Sequence, residues 1–245
     1  MTCPESLPCE ELENLKSLLK GGYKPKRIYL GVDSWSYRGD PELHKTDKRT
    51  IAYEVLQNKY ELLKHYVDPH NALFSLVTTV RHTEDPNFRQ NFYEYGWMIG
   101  YDMVSEYDWD KISEYESGIT NRLDETISEI EKYVELCEKE GIELILFINP
   151  YCAEEFKKDI QFNYEKFLRE LAYIHPYYIF AGINEYTMNH DNFIDPSHYN
   201  AYLGDEILNV IVWNATYNRD DGWGMLVDET NVEDVLTHII PSNNY

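Results

Sequence analysis

The chain has 245 residues, with 22 Lys and Arg against 44 Asp and Glu, a formal net charge of −22. Charge of this sign repels phosphate backbones and anionic lipid and disfavours nucleic-acid binding. At 43% hydrophobic and 27% charged residues the composition is that of a globular protein, long enough to fold as one large domain without a metal or disulfide.

Leu12, Leu15, Leu18 and Leu19 fall at helical spacing between Glu10 and Leu19, and Gly21-Gly22 ends the pattern, so residues 1–23 read as a helical lead-in. Arg27 to Val32, between Pro25 and Asp33-Ser34, reads as a buried strand. Ile51, Val55, Leu62, Leu63 and Tyr66 predict a helix over 50–66; Asp68-Pro69 opens a second with Leu73, Leu76, Val77 and Val80. From about 83 to 118 the periodicity is weak, and Pro86, Gly96 and Gly100 interleave with aromatics, which predicts an insertion or lid. Ile119, Leu123, Ile127, Ile130, Val134 and Cys137 form one helical stripe ended by Gly141.

A second strand, Ile142 to Asn149, stops at Pro150, and a helical stretch runs from about Ala153 to Ile174. Tyr177 to Ile183 reads as a third strand. Asp195-Pro196 is expected to start a helix with Tyr199, Tyr202, Leu203, Ile207 and Ile211 on its face; a last short helix covers Val232 to Ile240. Strands alternating with helices argue for an α/β domain with a mostly parallel sheet. Three strands are few for that class, so one or two more are expected in the stretch around 83–110. The longest clean apolar run, Leu144 to Ile148, is far short of the ~18–20 residues of a membrane span.

Cys3, Cys9, Cys137 and Cys152 form no CxxC pair and have no histidine at zinc-finger spacing. Cys3 and Cys9 could close a short loop, but a reduced, incidental pair is the favoured reading. Met1-Thr2-Cys3-Pro4-Glu5 lacks the basic and apolar regions of a signal peptide. That leaves a cytoplasmic protein or a chain whose anchor lies outside this sequence. Asn214-Ala215-Thr216 is a formal glycosylation sequon.

Open parallel sheets bind ligands outside the carboxyl ends of their strands. The rule selects Asp33-Ser34-Trp35-Ser36, Asn149-Pro150-Tyr151, and the segment from Asn184 to His198. Asp195 and His198, three apart at an expected helix start, suit a carboxylate that fixes the tautomer of an imidazole base. The ordinary alternative is Asp195 as a helix cap with His198 merely exposed. Ser34, just past the first strand, suits a nucleophile beside backbone N–H groups; its ordinary alternative is a capping serine. Taken together they supply nucleophile, base and orienting acid at one sheet edge, the set that acyl transfer needs.

Gly31-Val32-Asp33-Ser34 and Phe193-Ile194-Asp195-Pro196-Ser197-His198-Tyr199 resemble motifs of the SGNH (GDSL-type) hydrolase superfamily, over about residues 24 to 240. More narrowly, the chain looks like SGNH-like proteins encoded with bacterial capsule and cell-envelope polysaccharide genes. The resemblance implies a single flavodoxin-like, three-layer α/β/α domain spanning 1–245. It also implies a serine esterase or O-acyltransferase acting on the acyl ester, such as acetyl, of a glycan. By position Ser34 would be the nucleophile, His198 the base and Asp195 its orienting acid; no cofactor or metal is implied. A carbohydrate or acyl-ester substrate, a membrane-associated acyl-transfer partner and a cell-envelope location follow from the same likeness, with a cytoplasmic location the alternative.

Two departures stand out. The first block reads G-V-D-S rather than G-D-S, and no G-x-N-D occurs, so Asn149 is the stand-in oxyanion donor. An inactive SGNH-like module that binds a glycan or assembly partner is therefore the second reading. A third is metal-dependent phosphoester hydrolysis with Asp33, Asp195 and His198 as ligands.

Overall fold

The computed structural model describes residues 6–44, 107–111, 121–213 and 222–240. The helices expected over 50–66 and 69–80, and most of the 83–118 insertion, lie outside these residues.

Helix α1 (Pro8–Lys20) begins with proline in its first turn, where no intrahelical N–H is needed. The Glu10 carboxylate accepts the Leu7 backbone N–H at 2.9 Å. Strand β1 (Arg27–Val32) leads into the single turns α2 (Trp35–Arg38) and α3 (Pro41–His44). Helix α4 (Leu123–Glu140) ends at Gly141, which takes the left-handed conformation at φ 64° that glycine tolerates best. Strand β2 (Glu143–Ile148), helices α5 (Ala153–Ile160) and α6 (Tyr164–Ile174), and strand β3 (Tyr177–Ile179) follow. Next come β4 (Phe193–Asp195), β5 (His198–Tyr199), α7 (Ala201–Ile211), β6 (Met225–Val227) and α8 (Val232–Ile239).

The main sheet runs β1-β2-β3-β6. Its first two pairings are parallel and the last is antiparallel. Side chains alternate between the two faces of a strand. Leu30, Val32, Leu144, Leu146, Ile148, Tyr177 and Ile179 join a core with apolar residues of α1, α4, α6 and α8. Ile145, Phe147, Tyr178 and Phe180 join a second cluster with Phe193, Trp223 and the Leu203–Ile207–Val210 stripe of α7. Each fully buried side chain of this size contributes about 1.5–3 kcal/mol. The N-terminal lead-in is part of the same structure, since Leu12 and Leu15 of α1 lie within the main core.

The structure corrects several sequence expectations. The run Ala153 to Ile174 is two helices, broken where Asn163 adopts a left-handed φ of 66°. The third strand is shorter than its apolar run. Beyond Ile179 the chain bends at Gly182 (φ 134°), where a Cβ would lie 2.9 Å from Ile239. The helix expected at Asp195-Pro196 begins at Ala201, capped by the Asn200 side chain, which accepts the Leu203 N–H at 3.0 Å. Residues 193–199 form instead the β4–β5 hairpin. The fourth sheet strand is Met225–Val227, just before the last helix, rather than in the stretch around 83–110 where further strands are expected. Among the described residues no helix is long and apolar enough to cross a membrane.

Candidate functional site

Asp33 and Ser36 close the turn after β1 reciprocally. The Ser36 N–H donates to Asp33 Oδ1 at 3.3 Å, and the Asp33 N–H donates to Ser36 Oγ at 3.2 Å, in the manner of a capping box. The turn is anchored to α4, where Thr126 Oγ1 donates to the Ser36 carbonyl at 3.0 Å. Ser34 is thereby held at the start of α2, facing inward and buried. Its Oγ donates to Asp159 Oδ2 on α5 at 2.5 Å, while Arg38 on α2 pairs with Asp159 Oδ1. All three side chains are buried. Burial pushes the Asp159 carboxyl up to about 6, against the opposing pull of the Ser34 hydrogen bond, the Arg38 charge and the nearby Tyr151 hydroxyl. Burial also raises Asp33, against the N–H groups it accepts and the Arg38 charge.

The second half of the expected machinery lies in the β4–β5 turn. Asp195 Oδ1 accepts the backbone N–H groups of Ser197 at 2.9 Å and His198 at 3.0 Å. The same carboxylate receives His198 Nδ1 at 2.8 and 2.9 Å. A carboxylate so placed sets the imidazole tautomer and leaves Nε2 for proton exchange. The His198 side chain is 74% exposed, so that nitrogen faces water. The Pro196 carbonyl accepts the Cys152 N–H at 2.9 Å, which ties this turn to the segment leaving β2.

Asn149 follows β2, and its backbone N–H reaches the Val32 carbonyl at 3.3 Å. Its side-chain amide lies against Gly31, where a Cβ would come within 2.7 Å of Nδ2. Glycine in a strand here permits the close approach. The end of β1 is open enough that Gly31 is exposed and Asn149 half-buried.

Ser34 is thus joined to Asp159, and His198 to Asp195; no hydrogen bond links Ser34 to His198. Asp33 does not complete a metal site with Asp195 and His198. Among the described residues no group of three or more His, Cys, Asp or Glu side chains could hold a metal ion. Cys9, Cys137 and Cys152 are free thiols, and burial pushes Cys152 up to about 12, which keeps it un-ionised at neutral pH. Cys3 lies outside the described residues.

The sequence reading missed Arg38 and Asp159. A signal existed: Asp159 follows Ala153 and Phe156 at helical spacing on the buried face of α5, where an apolar residue is expected. Also missed was a group formed by His190, whose Nε2 meets Glu154 Oε1 at 3.1 Å and whose ring stacks on Trp109 at 4.0 Å. Comparison with protein families, with curated proteins and with solved structures returns no match to this chain.

Proposed function

We propose that this chain is an SGNH-like domain of three-layer α/β/α type that acts as a serine esterase or O-acyltransferase on an acyl ester of a glycan. Ser34 is the nucleophile. His198, oriented by Asp195, exchanges a proton with the alcohol or water oxygen that leaves or attacks. Asn149 is the oxyanion donor, and loss of such a donor costs roughly 10²–10³ in rate. The observation that carries the reading is the Asp195–His198 pair, an exposed imidazole with Nδ1 locked on a carboxylate beside the carboxyl end of β2.

The second reading is a non-catalytic module that binds a glycan or an assembly partner. It is favoured by the burial of Ser34, whose hydroxyl makes no bond to His198. Hydrolysis of p-nitrophenyl acetate and labelling by a fluorophosphonate, in wild type, Ser34→Ala and His198→Ala, test between them. Serine-dependent turnover with the label on Ser34 supports the enzyme. A folded wild type that neither turns over nor labels sinks the simple hydrolase and leaves the binding module or a transferase that needs its own donor.

A further inference from the structure

We infer that Asp159, not His198, is the base that takes the proton of Ser34, and that Arg38 holds Asp159 in position for it; this rests on the esterase or acyltransferase reading above. An activated nucleophile is recognised by a base within hydrogen-bond reach and a third group that orients the base. Ser34 Oγ donates to Asp159 Oδ2 at 2.5 Å, and Arg38 holds the other carboxylate oxygen. His198 has no hydrogen bond to Ser34: its Nδ1 meets Asp195, and its side chain is exposed to water rather than turned to the buried Ser34 hydroxyl. The Asp159 carboxylate is buried, so it is desolvated and its proton affinity is raised toward neutrality. A base is most effective when its pKa lies near the working pH.

The two carboxylates then serve different oxygens. The cycle needs Asp159 ionised and a proton on His198 Nε2. Ser34 Oγ bonds to the acyl carbon while its proton passes to Asp159 Oδ2. The bond from that carbon to the leaving alcohol breaks, and the alcohol oxygen takes a proton from His198. An incoming water or acceptor hydroxyl then attacks the acyl carbon and gives its proton to neutral His198. The bond to Ser34 breaks, and Oγ recovers its proton from Asp159. Both bases return to their starting states, and no oxidant, metal or cofactor is consumed.

Fluorophosphonate labelling isolates the first step, because fluoride leaves without needing a proton. In His198→Ala, Ser34 is expected to label within about tenfold of the wild-type rate while p-nitrophenyl acetate turnover falls. In Asp159→Asn, with folding confirmed by a cooperative melt, labelling is expected to slow by about 100-fold or more, the usual contribution of a general base. Arg38→Lys, which keeps a positive charge beside Asp159, is expected to retain more labelling than Arg38→Met at equal folded fraction. Labelling abolished in His198→Ala, or unchanged in folded Asp159→Asn, overturns the assignment while leaving the enzyme reading intact. No labelling and no turnover in wild type overturns the assignment together with the hydrolase reading. Should Asp159→Asn fail to fold, His198→Ala decides alone, since its exposed site tolerates substitution.

Discussion

Asp159 and Asp195 each hold a side chain that the sequence singles out, Ser34 in one case and His198 in the other, but water reaches only the second. The Asp159 and Arg38 side chains are 5% and 9% exposed; those of Asp195 and His198 are 36% and 74%. The same bond type therefore has different weight in the two places. Around Asp159 an ionised group is shielded from solvent, so each partner is needed to offset lost hydration. Around Asp195 water replaces any partner removed, and the turn is held mainly by backbone N–H donors. A fold can carry chemistry in either setting, but only the buried one couples chemistry to stability.

The contrast can be broken most directly at Arg38. Arg38→Met leaves Asp159 buried without its cation and should cost about 3–5 kcal/mol in urea unfolding at pH 7. A cost below ~1 kcal/mol would put Arg38 with surface ion pairs.

Next in size is the pH dependence of Asp159. Its folded pKa, about 6, lies above the ordinary carboxylate value, so between about pH 4 and 6 the unfolded chain ionises first. The folded state therefore binds more protons in that window, and stability from this group, complete below about pH 4, is lost as pH rises through 6. Relative to Asp159→Asn, the wild type should lose about 3 kcal/mol between pH 4 and 7 in paired denaturation curves. A flat difference would mean that Asp159 is solvated.

Ser34→Ala removes one donor to the buried carboxylate and should cost about 1–3 kcal/mol, measured the same way. Smallest of all, Asp195→Ala should cost about 0.5–1 kcal/mol, because it removes the acceptor of the Ser197 and His198 N–H groups at a site where water can replace it. If the chain is the proposed enzyme, its effect falls on turnover, because His198 loses the partner that orients it. A large drop in melting temperature with unchanged turnover would reverse that assignment and make the hairpin a structural element.

How much of this could be read in advance followed from periodicity. β1, β2 and α4 stood out because long apolar runs or a sustained stripe end at Asp33, Pro150 and Gly141. β6 did not, since three residues after Gly224 are too few to show alternation, and its strand status comes from pairing with β3. The Asp195 helix was misplaced because D-P is a strong start signal, whereas here the aspartate closes a hairpin turn and Asn200 supplies the cap. Of the candidate site, Ser34, Asp195 and His198 stand out in the sequence as reactive residue types beside apolar runs. Their pairing does not, because the partner of Ser34 lies 125 positions away and carries no local mark beyond one acid on an apolar helix face.

That separation has a kinetic consequence. β1 meets β2 with Arg27 opposite Glu143, 116 residues apart in the chain, whereas β2 meets β3 across the far shorter span from Leu146 to Tyr177. Closing the longer loop costs about 1 kcal/mol more in chain entropy, and contacts between distant residues slow folding. The β2–β3 pairing is thus free to nucleate before β1 arrives, and Ser34 travels with β1. Contacts formed after the transition state show themselves mainly in the rate of unfolding. Ser34 and Asp159 would then act as a late-closing latch, governing how long the native state persists rather than how fast it is reached.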